Sequence, residues 1–373
     1  MSDRFVPGLE LSRRFYHEAV RPVLDDAVPG LAHAAALLGA GSEVLGFDTA
    51  RSTDHDWGPR LQLFLRPDDA GRHAARIGEL LSLRLPRTFA GHPTGFAPAD
   101  GDHVRHLRIA DGPIDHGVVI TDAGSWLRGG LGFDPREPVT VADWLATPGQ
   151  RLAEVTGGAV FHDGIGELTA ARAALAWYPH DLWLHLLACQ WWRVAEEEAF
   201  VGRCGEVGDE LGSAVVAARI VRDLMRLCLL MDRRYPPYGK WLGSAFARTP
   251  YAAGLTPSLT GAIAATGWKD RERHLVRAQE TVAAGHNRLG LTEPLDPATG
   301  PYHDRPYQVL RAGRFAEALT ARIADPDVRS LPRAGAVDQF MDSTAALGDL
   351  ALTRAATAAS VHGGSPGRGG QAR

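Results

Sequence analysis

The sequence is poor in cysteine and in lysine, and both shortages are informative. Its 373 residues include three cysteines, Cys189, Cys204 and Cys228, with no Cys-x-x-Cys spacing. Neither a disulfide framework nor a cysteine-rich zinc site is therefore expected. Lysine occurs only at positions 240 and 269, although lysine and arginine together number 40. Because alanine and glycine are also abundant, we attribute the shortage of lysine to genome composition and not to function.

Long apolar runs and a strong net charge are also absent. No run of 18 apolar residues occurs, so no membrane-spanning helix is predicted. The first twenty residues contain several charges, which argues against a signal peptide. A net charge of -4 gives no support for nucleic-acid binding, which usually requires a basic surface. We therefore expect a cytoplasmic protein with neither membrane nor nucleic acid as a partner. The sequence does not predict its oligomeric state.

The pattern of apolar residues changes near residue 140. Before it, the spacing predicts helices over 9–27 and 68–84 and strands over 53–65, 103–109 and 116–121. After it, helical spacing prevails; the predicted helices span 141–147, 150–156, 167–176, 180–200, 211–233 and 269–287. Residues 161–169 fit either a binding loop or a turn and helix cap.

These patterns predict an α+β protein. We expect a mixed sheet with flanking helices over residues 1–138 and an all-α domain over residues 139–362. Residues 363–373 are rich in glycine and polar residues, so they are predicted to form a disordered tail.

The residues that suggest chemistry lie between 39 and 60, in the string GAGSEVLGFDTARSTDHDWGPR. Gly41 would let the backbone approach a phosphate, and the hydroxyl of Ser42 would donate to phosphate oxygens. If Asp54 and Asp56 lie on the predicted strand, their i, i+2 spacing places both carboxylates on one face, while His55 points away. Two such carboxylates with substrate phosphates suit Mg²⁺ or Mn²⁺. The plainer alternative is that these residues are turn formers.

This arrangement resembles the signature of the DNA polymerase β-like nucleotidyltransferase superfamily, over about residues 30–125. That signature is a Gly-Ser turn followed, about a dozen residues later, by Asp-x-Asp; here Asp54 lies twelve residues after Ser42. The resemblance implies a nucleotidyltransferase-like N-terminal domain and a nucleoside triphosphate donor, with ATP the expected one. It also implies transfer of a nucleoside monophosphate to an acceptor, either a small molecule or a protein, that the sequence does not identify.

A second resemblance covers nearly the whole chain. The strings GSEVLGFDTARSTDHDWGPR and YPHDLWLHLLACQWWRVAEEEAFVGRCGEVGDELGS are similar to an uncharacterised bacterial family, DUF4037. Because the members of that family are uncharacterised, this resemblance implies a shared fold and no particular activity.

The sequence departs from the superfamily pattern at the third carboxylate. The apolar strand Val118–Ile120 carries no acid, so Asp122 beyond it and Asp115 before it are the candidates, and we favour Asp122 as the third metal ligand. In the antibiotic-modifying branch of the superfamily, a helix of the second domain supplies the base. By that resemblance we select Glu198 and Asp209 as catalytic candidates from the acids between 196 and 210.

Lys240 is a candidate phosphate contact, with an ordinary surface lysine as the alternative. The missing third acid also leaves two other functions open. One is a nucleotide-binding regulator without turnover. The other is a protein-interaction module on a nucleotidyltransferase scaffold.

Overall fold

The computed structural model describes residues 5–98, 105–109 and 111–362. The predicted tail over 363–373 lies outside these residues. The chain divides into two compact units. The first takes the chain up to Val139 and then Arg151–Ala176, and the second takes Thr140–Gln150 and the chain from Trp177 onward.

Ten strands are present in the described residues. They are β1 (His33–Leu37), β2 (Arg60–Leu65), β3 (Thr88–Phe89), β4 (His92–Pro93), β5 (Gly95–Pro98), β6 (Arg105–Arg108), β7 (Gly117–Asp122), β8 (Ala159–Asp163), β9 (Gly300–Pro301) and β10 (Gln308–Val309).

Helices account for most of the remaining regular structure. They are α1 (Gly8–Phe15), α2 (Arg21–Ala27), α3 (Pro67–Arg84), α4 (Ala123–Leu131), α5 (Val141–Ala146), α6 (Gly149–Thr156), α7 (Glu167–Ala174), α8 (His180–Glu197), α9 (Phe200–Glu206), α10 (Glu210–Met231), α11 (Gly239–Phe246), α12 (Ala252–Ala264), α13 (Trp268–Arg288), α14 (Gly313–Arg322), α15 (Pro326–Arg329), α16 (Val337–Phe340), α17 (Thr344–Gly348) and α18 (Leu350–His362). A π-helical turn, Tyr16–Val20, joins α1 to α2.

The first unit is built on a four-stranded mixed sheet in the order β7-β2-β1-β8. Strands β2 and β7 are parallel, whereas β1 is antiparallel to both β2 and β8. Leu37, Arg60, Gly117 and Ala159 consequently lie at one edge, which we call the proximal edge. His33, Leu65, Asp122 and Asp163 lie at the opposite, distal edge.

The core of this unit follows from side-chain alternation along β2. Leu61, Leu63 and Leu65 are buried against the helices before β1 and against α3. On the other face, Phe64 makes an edge-to-face contact with Trp126 of α4, with ring centroids 5.7 Å apart. Helices thus cover both faces of the sheet, as expected for central strands that are buried throughout.

The turn before β8 requires a glycine. Gly158 has φ +60°, and a Cβ atom there would overlap the backbone oxygen of Leu37. We expect Gly158→Ala to lower the free energy of unfolding by about 2 kcal/mol or more, since it adds a backbone clash to the strain of positive φ. Gly30 also has positive φ but no neighbour within 4 Å, so Gly30→Ala should lower it by only about 1 kcal/mol. Urea denaturation of both variants checks this, and equal losses would contradict the clash.

The second unit is mainly helical and is arranged around α8. From Leu182 to Trp191 every residue of α8 is buried, which is typical of a central helix. Helices α10 and α14 pack against α8, and α13 packs against α10 and α12. None of the helices in the described ranges is long and apolar enough to cross a membrane.

The prediction of an α+β protein is confirmed, and most predicted helices are present within two or three residues of their expected ends. The first break in the chain, after Val139, lies next to the predicted boundary at residue 138, but Arg151–Ala176 returns to the first unit. Strand β8 overlaps the start of the stretch 161–169, which was expected to be a loop or a turn and helix cap; it pairs with β1 and so belongs to the sheet. Asp163 at its end accepts hydrogen bonds from the backbone of Gly166 and Thr169, which is the arrangement of a turn that starts a helix.

Candidate functional site

The proximal edge brings the Gly-Ser turn close to the start of β2. Because β1 and β2 are antiparallel, the segment that leaves β1 lies beside the segment that enters β2. The buried Gln62 side chain fixes this register. Its amide oxygen accepts from the backbone N–H of Leu38 at 2.9 Å, and its amide nitrogen donates to the carbonyl of Leu38 at 3.0 Å.

A buried ion pair fastens the turn itself to β2. The carboxylate of Glu43, only 1 % exposed, accepts from Arg60 Nε at 2.8 Å and Nη2 at 2.6 Å. Arg60 Nη2 also donates to the carbonyl of Ala40 at 2.7 Å. Charge-assisted bonds of this kind hold the backbone of residues 40–43 in one position relative to the sheet.

The ion pair between Glu43 and Arg60 requires a glycine at position 41. Its φ is +149°, and a Cβ atom would overlap Arg60 Nη2 and lie 2.7 Å from a carboxylate oxygen of Glu43. A glycine at position 41 therefore has a structural role in addition to its predicted contact with phosphate. After it, residues 42–46 form turns and no helix begins at Glu43. Any anion site there consists of turn N–H groups and the Ser42 hydroxyl, without the dipole of a helix.

Asp54 and Asp56 do not lie on a strand, so that prediction is wrong. Asp54 ends a short 3₁₀ helix, Ala50–Asp54, and β2 begins only at Arg60. Asp56 has φ +47°, in the left-handed region that aspartate tolerates better than most residues. His55 does not point away: its Nδ1 lies 3.0 Å from Asp54 Oδ1. Residues 58 and 59, glycine and proline, keep this segment out of the ladder.

The hairpin β5–β6 holds the aspartate segment in place. The N–H of Asp56 donates to the carbonyl of Arg105 at 2.8 Å, and Asp56 Oδ1 accepts from the Arg105 N–H at 3.1 Å. The ring of His106 bonds to the carbonyl of Asp54 at 2.7 Å. Among the described residues, Asp54 Oδ2 and Asp56 Oδ2 have no hydrogen-bond donor, and the Asp54 side chain is 57 % exposed.

Asp115, not Asp122, lies at the edge that carries the aspartate pair. Asp122 pairs in register with Leu65, five residues beyond Arg60. At about 3.3 Å per residue, Asp122 lies roughly 16 Å along the strand from the proximal edge, too far to share a metal with Asp54 or Asp56. The choice of Asp122 as metal ligand is therefore corrected.

Asp122 instead caps α4, where Oδ1 accepts from the Ser125 N–H at 2.8 Å. Burial favours its neutral form, but the bonds from Ser125 and the charge of Arg128 outweigh burial and lower the pKa of Asp122. Asp115 precedes β7 at the proximal edge, where its carboxylate pairs with Arg105 at 3.0 Å and is 69 % exposed.

Asp48 is a residue at this site that the motif did not single out. Its Oδ2 accepts from the N–H of Gly8 at 2.7 Å and from Trp57 Nε1 at 3.1 Å. It thereby ties the 3₁₀ segment at both of its ends to the start of α1. Glu43 and Arg60 were also missed as a pair. The sequence signal would have been an acid inside the Gly-Ser turn matched by the first residue of the strand.

The donor set at the proximal edge suits a hydrated divalent cation shared with phosphates. Within the described ranges, no group of three or more His, Cys, Asp or Glu side chains is arranged to bind a metal by itself. Mg²⁺, however, commonly uses one or two carboxylates and completes its shell with water and substrate phosphates. Asp54 and Asp56 would hold such an ion, and the neighbouring Arg105 and His55 would lie near the negatively charged phosphates.

Comparison with known proteins adds a family match for part of the chain. Residues 144–242 match the family model of a domain of unknown function, DUF4037. No curated protein and no solved structure matches significantly. The DUF4037 match begins after the Gly41-Ser42 turn and Asp54–Asp56, so it says nothing about them. It does include three other predicted site residues: Glu198, Asp209 and Lys240.

Within the DUF4037 match, Glu198 is largely buried and is held by the chain before α14. Its Oε2 accepts from the Leu310 N–H at 2.9 Å and its Oε1 from the Ala312 N–H at 3.1 Å. Burial raises the pKa of Glu198 from 4.5 to about 7, against the opposing effect of those bonds and of Arg314. Such a carboxyl could exchange a proton near neutral pH, and its predicted role as a base stays a prediction.

The raised pKa of Glu198 predicts a pH-dependent stability. A folded protein that binds this proton more tightly than the unfolded chain is stabilised at low pH, and that contribution is lost as the pH rises from 4.5 toward 7. The difference in free energy of unfolding between the wild type and Glu198→Gln should therefore shift by about 3 kcal/mol against the wild type across this window. Urea denaturation at pH 4.5, 6 and 7.5 measures it; a difference independent of pH would refute the shift.

Asp209 is the N-cap of α10, which gives it a structural role. Its Oδ1 accepts from the Gly212 N–H at 2.7 Å. Asp209→Ala should lower the free energy of unfolding by about 1 kcal/mol, whereas Asp209→Asn, which keeps the cap, should change it by only a few tenths. Chemical denaturation of both variants tests the cap, and equal losses in the two would contradict it.

Lys240 is exposed near the start of α11, and its Nζ lies over the Trp241 ring, 4.9 Å from the centroid. This is a surface cation–π contact. Its predicted contact with phosphate stays a prediction.

Proposed function

We propose that the chain is a metal-dependent nucleotidyltransferase with its nucleotide site at the proximal edge. It would transfer a nucleoside monophosphate from a nucleoside triphosphate, with ATP as the expected donor, to a small-molecule or protein acceptor. Support comes mainly from one observation: the Gly41-Ser42 turn and the Asp54–Asp56 segment enter the same edge of an antiparallel strand pair, fastened by Glu43 and Arg60.

Each group at the edge has a task in this proposal. The turn N–H groups and Ser42 bind phosphate oxygens, and Arg105 adds positive charge. Asp54 and Asp56 hold Mg²⁺ or Mn²⁺ together with water and phosphate oxygens. Asp115 is the remaining candidate for a third carboxylate at this edge, but it is paired with Arg105. When bound, the metal ion neutralises the triphosphate. The acceptor oxygen or nitrogen forms a bond to the α-phosphorus and loses its proton to water. The bond from the α-phosphorus to the α–β bridging oxygen breaks, and pyrophosphate leaves with that electron pair.

A second candidate is a nucleotide-binding regulator that does not turn over. One observation favours it: Asp115 is paired with Arg105, so the third carboxylate is engaged by the protein itself. The regulator would bind a triphosphate at the same edge without releasing pyrophosphate. Both candidates predict binding, and only the first predicts release of pyrophosphate once an acceptor is present.

Calorimetric titration of the full chain with ATP, GTP, CTP and UTP, with and without Mg²⁺, tests the shared binding step. We expect one triphosphate to bind only when Mg²⁺ is present. Pyrophosphate release in an acceptor screen with that nucleotide then separates the transferase from the regulator. If none of the four triphosphates binds with Mg²⁺ at millimolar concentration, the proposed function is rejected in both forms.

A further inference from the structure

A narrow polar cleft in the second unit carries a separate inference. It is formed by α9, α13, β10 and Glu198, the C-cap residue of α8. Its polar lining comes from Glu198, Glu272, Gln279 and Gln308, and its apolar lining includes Val201 and Leu275. Of these residues the sequence singled out only Glu198, as a candidate base, and the proposed nucleotide site in the first unit uses none of them.

Helix α13 presents its contribution on a single face. Glu272, Leu275, Val276 and Gln279 are spaced i, i+3, i+4 and i+7, so they follow one stripe along the helix into the cleft. Their side chains therefore offer two polar groups separated by aliphatic surface.

The two carboxylates are only partly satisfied by the protein. Glu272 Oε1 accepts from the Gln308 N–H at 2.8 Å, and each oxygen of Glu198 accepts one backbone N–H from the chain that follows β10. An ionised carboxylate has about four acceptor positions, so both groups keep acceptor capacity toward the cleft. Burial raises the pKa of Glu272, as it does that of Glu198, against the opposing charges of Lys269 and Arg314.

Gln279 is the observation that points to a ligand. The residue is only 3 % exposed, and its side-chain amide makes no hydrogen bond within the described part of the chain. Its amide is not among the fully buried side-chain groups that lack a partner, so it reaches the open space of the cleft and can bond to whatever occupies it. This amide lines the same cleft as the two carboxylates.

The cationic side chains near the cleft do not occupy it. The charge of Arg314 lowers the pKa of Glu198, but the Nη2 of Arg314 donates to the carbonyls of Asp296 and Leu310. The charge of Lys269 lowers the pKa of Glu272, while the Nζ of Lys269 lies over the Trp268 ring, 5.7 Å from the centroid. Neither side chain lines the cleft.

We propose that this cleft binds a primary ammonium group. An ammonium has three N–H donors, and the cleft offers three acceptors: the carboxylates of Glu198 and Glu272 and the amide oxygen of Gln279. Val201 and Leu275 would contact the adjoining methylene carbons. Ca²⁺ fits less well, because it requires six to eight oxygen ligands, and Mg²⁺ requires six in near-octahedral geometry. The ammonium belongs either to a free amine or to the lysine side chain of another protein.

Chemical-shift titration of the full chain with methylammonium chloride tests the proposal, with tetramethylammonium chloride at equal ionic strength as the ligand control. We expect saturable shifts with methylammonium only. Glu272→Gln and Gln279→Leu should each weaken binding at least about tenfold, since each removes a charge or an acceptor. Glu196→Gln, an exposed acid on α8 outside the cleft, should leave binding unchanged. Circular dichroism of each variant verifies folding.

The outcomes separate cleanly. Absence of methylammonium binding, equal binding of tetramethylammonium, or unchanged affinity in both cleft variants overturns the proposal, as does stronger binding of Ca²⁺ that methylammonium does not compete for. If the proposal holds, a comparison of n-butylammonium with Nα-acetyl-lysine amide separates the sources. Weaker binding of the lysine derivative assigns the site to a free amine, and equal or tighter binding assigns it to a protein side chain.

Discussion

Replacing Asp54 and Asp56 together by asparagine is expected to lower the Mg²⁺-dependent affinity for ATP by about 100-fold or more. Outer-sphere partners of metal ligands already change affinity by about 10–100-fold, and the ligands themselves should matter at least as much. The fold should persist for two reasons. Asp54 is exposed, and an asparagine at position 56 keeps a side-chain oxygen that accepts from the Arg105 N–H. Calorimetry with Mg²⁺ and ATP measures the affinity, and urea denaturation measures stability.

Asp122→Asn is the matched control for this double variant. It also exchanges an aspartate for asparagine near β2, but at the distal edge, where the side chain caps α4. Its affinity for Mg²⁺ and ATP should equal that of the wild type. Full affinity in the double variant, or a comparable loss in Asp122→Asn, would remove the reason for placing the site at the proximal edge.

Breaking the ion pair between Glu43 and Arg60 is expected to destabilise the fold by about 3–5 kcal/mol. Arg60→Met leaves a carboxylate that is 1 % exposed without its partner, and an unpaired buried charge is among the costliest single changes. Arg72→Met provides the comparison: Arg72 pairs with Asp69 on α3, and its side chain is 66 % exposed. That change should alter the free energy of unfolding by less than about 1 kcal/mol.

A double variant distinguishes the lost pair from lost packing. Adding Glu43→Leu to Arg60→Met removes the buried charge, so we expect part of the stability to return. Denaturation curves of the two single variants and the double variant give the coupling energy. If Arg60→Met is no more destabilising than Arg72→Met, the ion pair does not hold the turn in place as described.

The sequence predicted elements whose signals are local. The helix at 67–84 begins with Pro67 followed by Asp68 and Asp69, residues that favour a first turn, and it forms there. The strand prediction over 53–65 began too early, because apolar alternation was followed through Gly58 and Pro59, which interrupt a ladder. Because β2 starts only at Arg60, Asp54 lies at the end of a 3₁₀ helix and Asp56 has a left-handed backbone conformation.

What the sequence could not provide was long-range pairing. The pairing of β8 with β1 joins residues more than 120 positions apart, and nothing local in Ala159–Asp163 identifies it. The same limitation misplaced the third carboxylate. Asp115 precedes β7 and Asp122 ends it, and only the parallel register with β2 shows which end of β7 lies at the proximal edge. The Gly-Ser and Asp-x-Asp motif was visible, whereas the clamp of Glu43 on Arg60 required the fold.

The most direct test of the nucleotide site is paramagnetic broadening by Mn²⁺ in the presence of ATP, recorded on backbone amides of the full chain. We predict that the amides of Ser42, Asp54, Asp56 and His116 lose intensity first, and that those of Asp122 and Asp163 at the distal edge are spared. Broadening centred on the distal edge, or spread evenly over the first unit, would contradict a metal–nucleotide site at the proximal edge.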